Sequence, residues 1–348
     1  MEVRRIPTND TELNVALDGA GPPVLLMHGW PHTWQVWRPV LPLLTSQRRV
    51  IAPDLRGLGD SADAADGFDA ATGADDMLGL LDALGVDRAD VVALDAGVPA
   101  AFLLGVRHPT RVRRLVLMEA VLPGLPGGFA QPPWWFGFHS APGLAETVLE
   151  GHEGAYLDWF LTAGTYERRG VPPEIRDAFV HAYTGREALR RGFGYYRAAE
   201  QNATAILAAG RLTVPTLAVG GNTVGDLLHH QLAPVTDELT GTLVARSGHL
   251  VPLDRPDAVA ELILASPERV DSTAGYRRSA RPFAEQARPR VRRRSTTLRV
   301  HQEVAGRAWA HIAAERTRPY GGCDVAGNPS LARGPGGLGV AASPCDDS

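Results

Sequence analysis

The stretch Val91-Val92-Ala93-Leu94-Asp95-Ala96-Gly97-Val98 decides how this chain is read. Four apolar residues, two of them β-branched, predict a short buried strand. A carboxylate follows at once, and from Val98 to His108 apolar residues recur at three- and four-residue spacing, which predicts a helix. A side chain at such a strand-turn-helix junction is held on a sharp turn where it can act as a nucleophile. That turn leaves no room for side chains two positions to either side, and Ala93 and Gly97 stand there. The plainer alternative for Asp95 is a helix N-cap, a common role for aspartate. The motif alone does not choose between them.

Working outward, the same unit recurs. Short runs rich in Val, Leu and Ile lie at Val24–Met27, Val50–Ala52, Leu115–Met118, Thr216–Val219 and Leu243–Ala245, with helical patterns at Thr33–Leu44, Ala74–Leu84 and Ala258–Leu264. Repeated βα units predict an α/β fold with a mostly parallel central sheet. Val3–Arg5 and Glu12–Leu17 are expected to form an edge hairpin. The alternation breaks over residues 122–210, where Pro- and Gly-rich turns, a Trp134-Trp135-Phe136 cluster and several helical stretches predict an inserted helical cap. The core would then comprise residues 1–121 and 211–267. Beyond it the periodicity ends, and residues 268–348, rich in Arg, Ser, Gly and Pro, are expected to be a disordered tail.

With 348 residues, 44% hydrophobic and 21% charged, the composition is that of a globular protein with a sizeable core. The net charge of −4 conceals a split: residues 271–348 hold 13 Arg against 7 acidic residues, a balance of +6 that leaves −10 for residues 1–270. An acidic body gives no reason to expect nucleic acid or an anionic membrane as partner. All 35 basic residues are arginine, which reads as a bias of coding composition. Both cysteines, Cys323 and Cys345, fall in the tail, so no disulfide framework and no cysteine metal cluster is expected in the body. No metal or cofactor is implied. MEVRRIPTND has no apolar run behind it and no stretch is long enough to span a bilayer, so the expectation is a soluble cytoplasmic protein. Its oligomeric state is left open, a homodimer being one option.

Three further segments join Asp95. His28-Gly29-Trp30-Pro31 follows the run ending at Met27, Pro53-Asp54-Leu55-Arg56-Gly57-Leu58-Gly59-Asp60-Ser61 follows the next run, and Ser247-Gly248-His249 follows the last. In this order, over residues 12–265, the set resembles the α/β-hydrolase fold family, and specifically its branch with aspartate nucleophiles, which includes epoxide hydrolases and dehalogenases. The resemblance implies an oxyanion hole made by the backbone amides of Trp30 and Ala96, and His249 as the base. His28 reads as a buried histidine bracing its loop. A carboxylate is already anionic and can displace a leaving group at saturated carbon, so Asp95 points to a carbon–oxygen or carbon–halogen bond. The resulting ester would be hydrolysed by water that His249 deprotonates.

A base needs an acidic partner to orient its ring and hold its charged form. Glu119 follows the run Leu115–Met118, 24 residues after Asp95, and resembles the acid of one subgroup of these enzymes. Asp226 lies nearer the position usual in the wider fold, but Gly220–Gly225 intervene, and its plainer role is a solvated residue in the first turn of a helix. Glu119 is preferred. Opening an epoxide also needs a proton for the departing oxygen. Tyr195-Tyr196-Arg197 resembles a cap motif whose donor would be Tyr196, and His139, in Phe138-His139-Ser140-Ala141-Pro142, matches a second cap position. Packing is the alternative for both. Many relatives carry Gly-His-Asp-Trp-Gly or a close variant at the elbow, where this chain reads Ala93-Leu94-Asp95-Ala96-Gly97, and the missing Trp removes a halide-binding donor and weighs against haloalkane dehalogenase. Haloacetate dehalogenases place Arg there and again three residues on, where this chain has Ala96 and Pro99. The resemblance therefore implies a hydrolase that opens a small-molecule epoxide to a vicinal diol, with a dehalogenase or a catalytically silent binding protein as the alternatives.

Overall fold

The computed structural model describes residues 1–265, so the expected tail and both cysteines lie outside the described residues. Eight strands, β1 (Glu2–Thr8), β2 (Thr11–Asp18), β3 (Pro23–Met27), β4 (Arg49–Pro53), β5 (Ala89–Leu94), β6 (Val112–Met118), β7 (Thr216–Gly220) and β8 (Leu239–Leu243), form one sheet in the order β1-β2-β4-β3-β5-β6-β7-β8. β1 and β2 make the expected antiparallel hairpin, β2 also meets β4 antiparallel, and every pairing from β4 to β8 is parallel.

The central strands read as unbroken apolar runs because both faces are covered. Leu25, Met27, Val91 and Ala93 pack toward α2 (Ala70–Ala83) and α3 (Gly97–Arg107), whereas their neighbours Val24, Leu26, Val92 and Leu94 pack toward α1 (Leu41–Leu44) and α12 (Pro256–Leu264). All eight of these strand residues are fully buried. Burial of each Val, Leu or Met contributes roughly 1.5–3 kcal/mol, which ties the sheet and with it the loops at its strand ends.

Three elements differ from expectation. Thr33–Leu44 is a 3-10 turn, Trp34–Trp37, followed by the short α1, because Pro39 and Pro42 cannot supply the N–H groups a continuous helix needs. α2 starts at Ala70 rather than Ala74, since the Asp69 carboxylate caps it by accepting from Ala71 N and Thr72 N, both at 3.0 Å. β8 spans Leu239–Leu243 instead of Leu243–Ala245. It is an edge strand whose Leu-Thr-Gly-Thr-Leu side chains are half-buried or exposed, so no apolar run marks it.

Between β6 and β7 the chain leaves the sheet for six helices: α4 (Trp134–Ser140), α5 (Leu144–Leu149), α6 (Glu153–Ala163), α7 (Pro173–Ala182), α8 (Arg186–Arg197) and α9 (Ala199–Ala208). α8 packs on α4, α5 and α9, and α9 reaches α2 and α3. α10 (Leu227–Leu232) follows β7, and α11 (Val251–Asp254) follows β8. The C-terminal ends of the parallel strands therefore open into the segments that carry Trp30, Asp95, Glu119 and His249, the edge where ligands meet open α/β sheets.

Candidate active site

The turn after β5 is built around Asp95, whose φ of 53° lies in the left-handed region that non-glycine residues rarely adopt. Its N–H donates to Met118 O at 3.1 Å and its carbonyl accepts from Val98 N at 3.0 Å, which pins the strand to the helix. Two glycines make room for it. A Cβ at Gly97 would lie 2.6 Å from His28 O, and one at Gly29 would collide with the Cβ and Oδ1 of Asp95 itself. The sequence marks the first of these requirements; the second follows only from the β3 loop crossing the elbow.

One oxygen of the Asp95 carboxylate, Oδ1, accepts from Trp30 N at 2.9 Å; the other, Oδ2, lies 3.2 Å from His249 Nε2. On the far side of the ring, His249 Nδ1 is 3.3 Å from Glu119 Oε2. The imidazole thus sits between two carboxylates. Burial works to lower the affinity of His249 for a proton, but hydrogen bonds to Asp95 and Glu119 overcome it and raise the pKa to about 10. For Asp95 burial works upward, and the hydrogen bond and charge of His249 outweigh it, so its carboxyl stays below the usual carboxylate range. The charged form of His249 is thus favoured by the two side chains that flank its ring.

Glu119 is 1% exposed and also has positive φ, 46°. Its charge is met by main-chain donors: Gly221 N, and Val224 N at 3.1 Å. Asp226 stands elsewhere, at the N-cap of α10, with its carboxylate 3.8 Å from His230 Nδ1. His28 is fully buried; its Nε2 accepts from Leu55 N at 3.0 Å and its Nδ1 meets Gly29 O at 2.8 Å, an arrangement that holds the ring neutral. Burial pushes its pKa down to about 4. It braces the two loops that flank Trp30.

A cavity of about 240 Å³ opens over this array, bordered by Asp95, His249, Trp30, Tyr196, Trp135 and Phe160. Tyr196 reaches it from α8, its ring edge-on to Trp30 at 5.5 Å between centroids. Among the described residues its hydroxyl makes no hydrogen bond. Burial first, and the Asp95 charge after it, raise the hydroxyl pKa well above its ordinary value, so it remains a proton donor. His139 is fully buried but does not line the cavity. Its ring stacks on Phe193 at 4.3 Å and meets Tyr196 edge-on at 4.4 Å, with Nε2 2.6 Å from the Tyr156 hydroxyl. Burial, helped by Arg197, lowers its pKa to about 3.

Sequence reasoning passed over Tyr156, whose Gly-Ala-Tyr-Leu setting reads as helix packing, and His32, a cavity-lining histidine only 1% exposed. Among the described residues no group of three His, Cys, Asp or Glu side chains is arranged to hold a metal ion, and no helix is long and apolar enough to cross a membrane.

Residues 22–230 match the family described as alpha/beta hydrolase fold. This chain belongs to that family. The soluble epoxide hydrolase of Corynebacterium sp. (strain C12) is 32% identical to this α/β hydrolase over 268 residues, 74% of this chain and 93% of that protein. The solved structure of the epoxide hydrolase CorEH without ligand aligns with a TM-score of 0.71 and 30% identity, covering 76% of this chain and 97% of that one. A haloalkane dehalogenase of Bradyrhizobium diazoefficiens is 37% identical over 141 residues, 40% of this chain and 43% of that protein. The family and these relatives make this α/β-hydrolase chain a hydrolytic enzyme.

Proposed function

We propose that this hydrolase opens epoxides to vicinal diols through an ester formed on Asp95. The observation that carries the proposal is the His249 ring lying 3.2 Å from one carboxylate and 3.3 Å from a second, beneath a cavity into which Tyr196 turns an unengaged hydroxyl. In this scheme an Asp95 oxygen attacks an epoxide carbon, the carbon–oxygen bond of the ring breaks, and Tyr196 gives its proton to the departing oxygen. His139 is assigned to positioning Tyr196 by ring contact, and residues 122–210 to a cap that keeps water from the ester until it is needed.

Ester formation erases the Asp95 charge, and with it one of the two interactions that hold the proton on His249. The imidazolium then returns a proton to Tyr196 and becomes a base. Neutral His249, oriented by Glu119, takes a proton from water, and the hydroxide attacks the ester carbonyl. The amides of Trp30 and Ala96 hold the charge that develops on the ester oxygen. Collapse expels the diol oxygen, which takes up the carboxyl proton, and the carboxylate–imidazolium pair is restored. Of the alternatives, dehalogenation uses the same nucleophile but needs donors for a halide, and Ala96 follows the nucleophile where a halide-binding Trp would stand.

A single turnover in water labelled with heavy oxygen tests the scheme. The attacking oxygen comes from Asp95, so the first diol released carries no label and later diols do. Full labelling of the first diol would show direct attack by water, and halide release without diol formation would return the enzyme to the dehalogenases.

A further inference from the structure

The cavity does not stop at the reacting groups. Its lining falls into two groups: Asp95 with Tyr196, whose hydroxyl feels the Asp95 charge, and a second end where Phe68 and Tyr195 lie with Asp69, Asp76 and Asn202. The aromatic rings of the lining favour a flat apolar body by offset or edge-on packing. The far end is polar, and its hydrogen bonds can be counted.

Asp69 spends its carboxylate on Ala71 N and Thr72 N, each at 3.0 Å, and on the Thr72 hydroxyl at 2.8 Å. Arg56 is engaged by both oxygens of Asp76, at 2.8 and 2.7 Å, and by Asp10. Asn202, on α9, is 7% exposed and accepts from Ala70 N at 2.7 Å through Oδ1. An N–H can only meet the amide oxygen, so this bond fixes which way the amide points. Among the described residues Asn202 Nδ2 donates to nothing. A donor that borders a cavity is satisfied by whatever fills it, water or an acceptor on the substrate.

We infer that the far end of the cavity recognises a neutral hydrogen-bond acceptor, a carbonyl or ether oxygen, carried on the aromatic body of the epoxide opposite its reactive ring, with Asn202 Nδ2 as donor. The inference rests on the epoxide hydrolase proposal above and narrows its substrate class. A carboxylate is disfavoured there, because Asp69 and Asp76 face the same space and Arg56 is already matched.

Phenyl glycidyl ethers bearing para-acetyl or para-isopropyl groups test it, since the two substituents match in shape and differ in the acceptor. The CH₂–O link keeps ring electronics away from the epoxide. The wild-type enzyme should favour the acetyl compound in kcat/KM by about threefold to tenfold, the worth of one neutral hydrogen bond. Asn202→Asp keeps the acceptor for Ala70 N and removes the donor; Asn202→Leu removes both. Each should bring the ratio close to one. Because the ratio is read within each protein, a general loss of activity cancels. A wild-type ratio near one, or a preference that survives both substitutions, overturns the inference while leaving the epoxide hydrolase proposal standing. Absence of turnover on every epoxide by the wild type overturns both.

Discussion

Under the proposed mechanism, replacing Glu119 by Gln isolates ester hydrolysis from ester formation. The carboxylate gathers three donors, Gly221 N, Val224 N and His249 Nδ1, and only the last changes its charge during turnover. Hydrogen bonds to charged groups contribute about 1.5–3 kcal/mol each. Loss of one that strengthens when His249 becomes imidazolium therefore slows ester hydrolysis by roughly 10- to 150-fold, at about 1.4 kcal/mol per tenfold. Attack by Asp95 needs no deprotonation and should be slowed far less. The ester should accordingly accumulate, giving a burst of about one turnover per site and an adduct on Asp95 in the intact mass of enzyme quenched in denaturant. The new amide NH₂ also faces main-chain donors, so a stability loss of about 1–3 kcal/mol is expected and circular dichroism with thermal melting must accompany the kinetics. Asp226→Asn is the comparison: at the N-cap of α10, 3.8 Å from His230, it should change kcat by no more than about twofold. A larger effect at Asp226, or a folded Glu119→Gln enzyme that binds substrate without accumulating ester, would refute the assignment.

Asp95→Asn should abolish diol release while the thermal melt stays cooperative, because a neutral amide of the same shape cannot attack; early time points are needed, since deamidation restores the carboxylate. Gly29→Ala should displace the nucleophile, because the new methyl overlaps the Asp95 side chain. A stability cost of about 1–3 kcal/mol and loss of most activity are expected, and a melt equal to wild type would contradict the close approach. The His249 pKa is raised from 6.5 to about 10, so its contribution to stability is fully present below about pH 6.5 and is lost as pH rises to about 10. The melting temperature should fall across that window, and fall less in His249→Gln; parallel curves for the two proteins would count against the ion pair.

The elbow was legible because it is local. Strand, turn and helix follow one another along the chain, and the small residues at positions 93 and 97 report the tightness of the turn. Which of Glu119 and Asp226 stands beside His249 was not local, since both follow a strand. Their separation depends on β6 lying between β5 and β7, and on the segment after β7 folding its N–H groups back onto Glu119. β8 escaped because an edge strand has one neighbour and no demand for a continuous apolar run. Asn202 escaped for the opposite reason. In Ala199-Glu200-Gln201-Asn202-Ala203-Thr204 it reads as one more polar residue on a solvated helix face, and only the packing of α9 on α2 turns it inward.

The segment between β7 and α10 meets Glu119 through its backbone alone, and this separates two selective pressures. Gly220 and Gly221 are locked, because any Cβ there would overlap Gly225 O or Gly248 O. Asn222, Thr223 and Val224 carry no acid and serve the site through main-chain groups, the Val224 N–H on Glu119 and the Asn222 N–H on Ser247 O at 2.8 Å. Of these, Thr223 and Val224 form part of the cavity wall. Mutation can therefore reshape that wall while the atoms that hold Glu119 are inherited unchanged, so this short stretch is where the enzyme can drift toward new substrates at least risk to its chemistry.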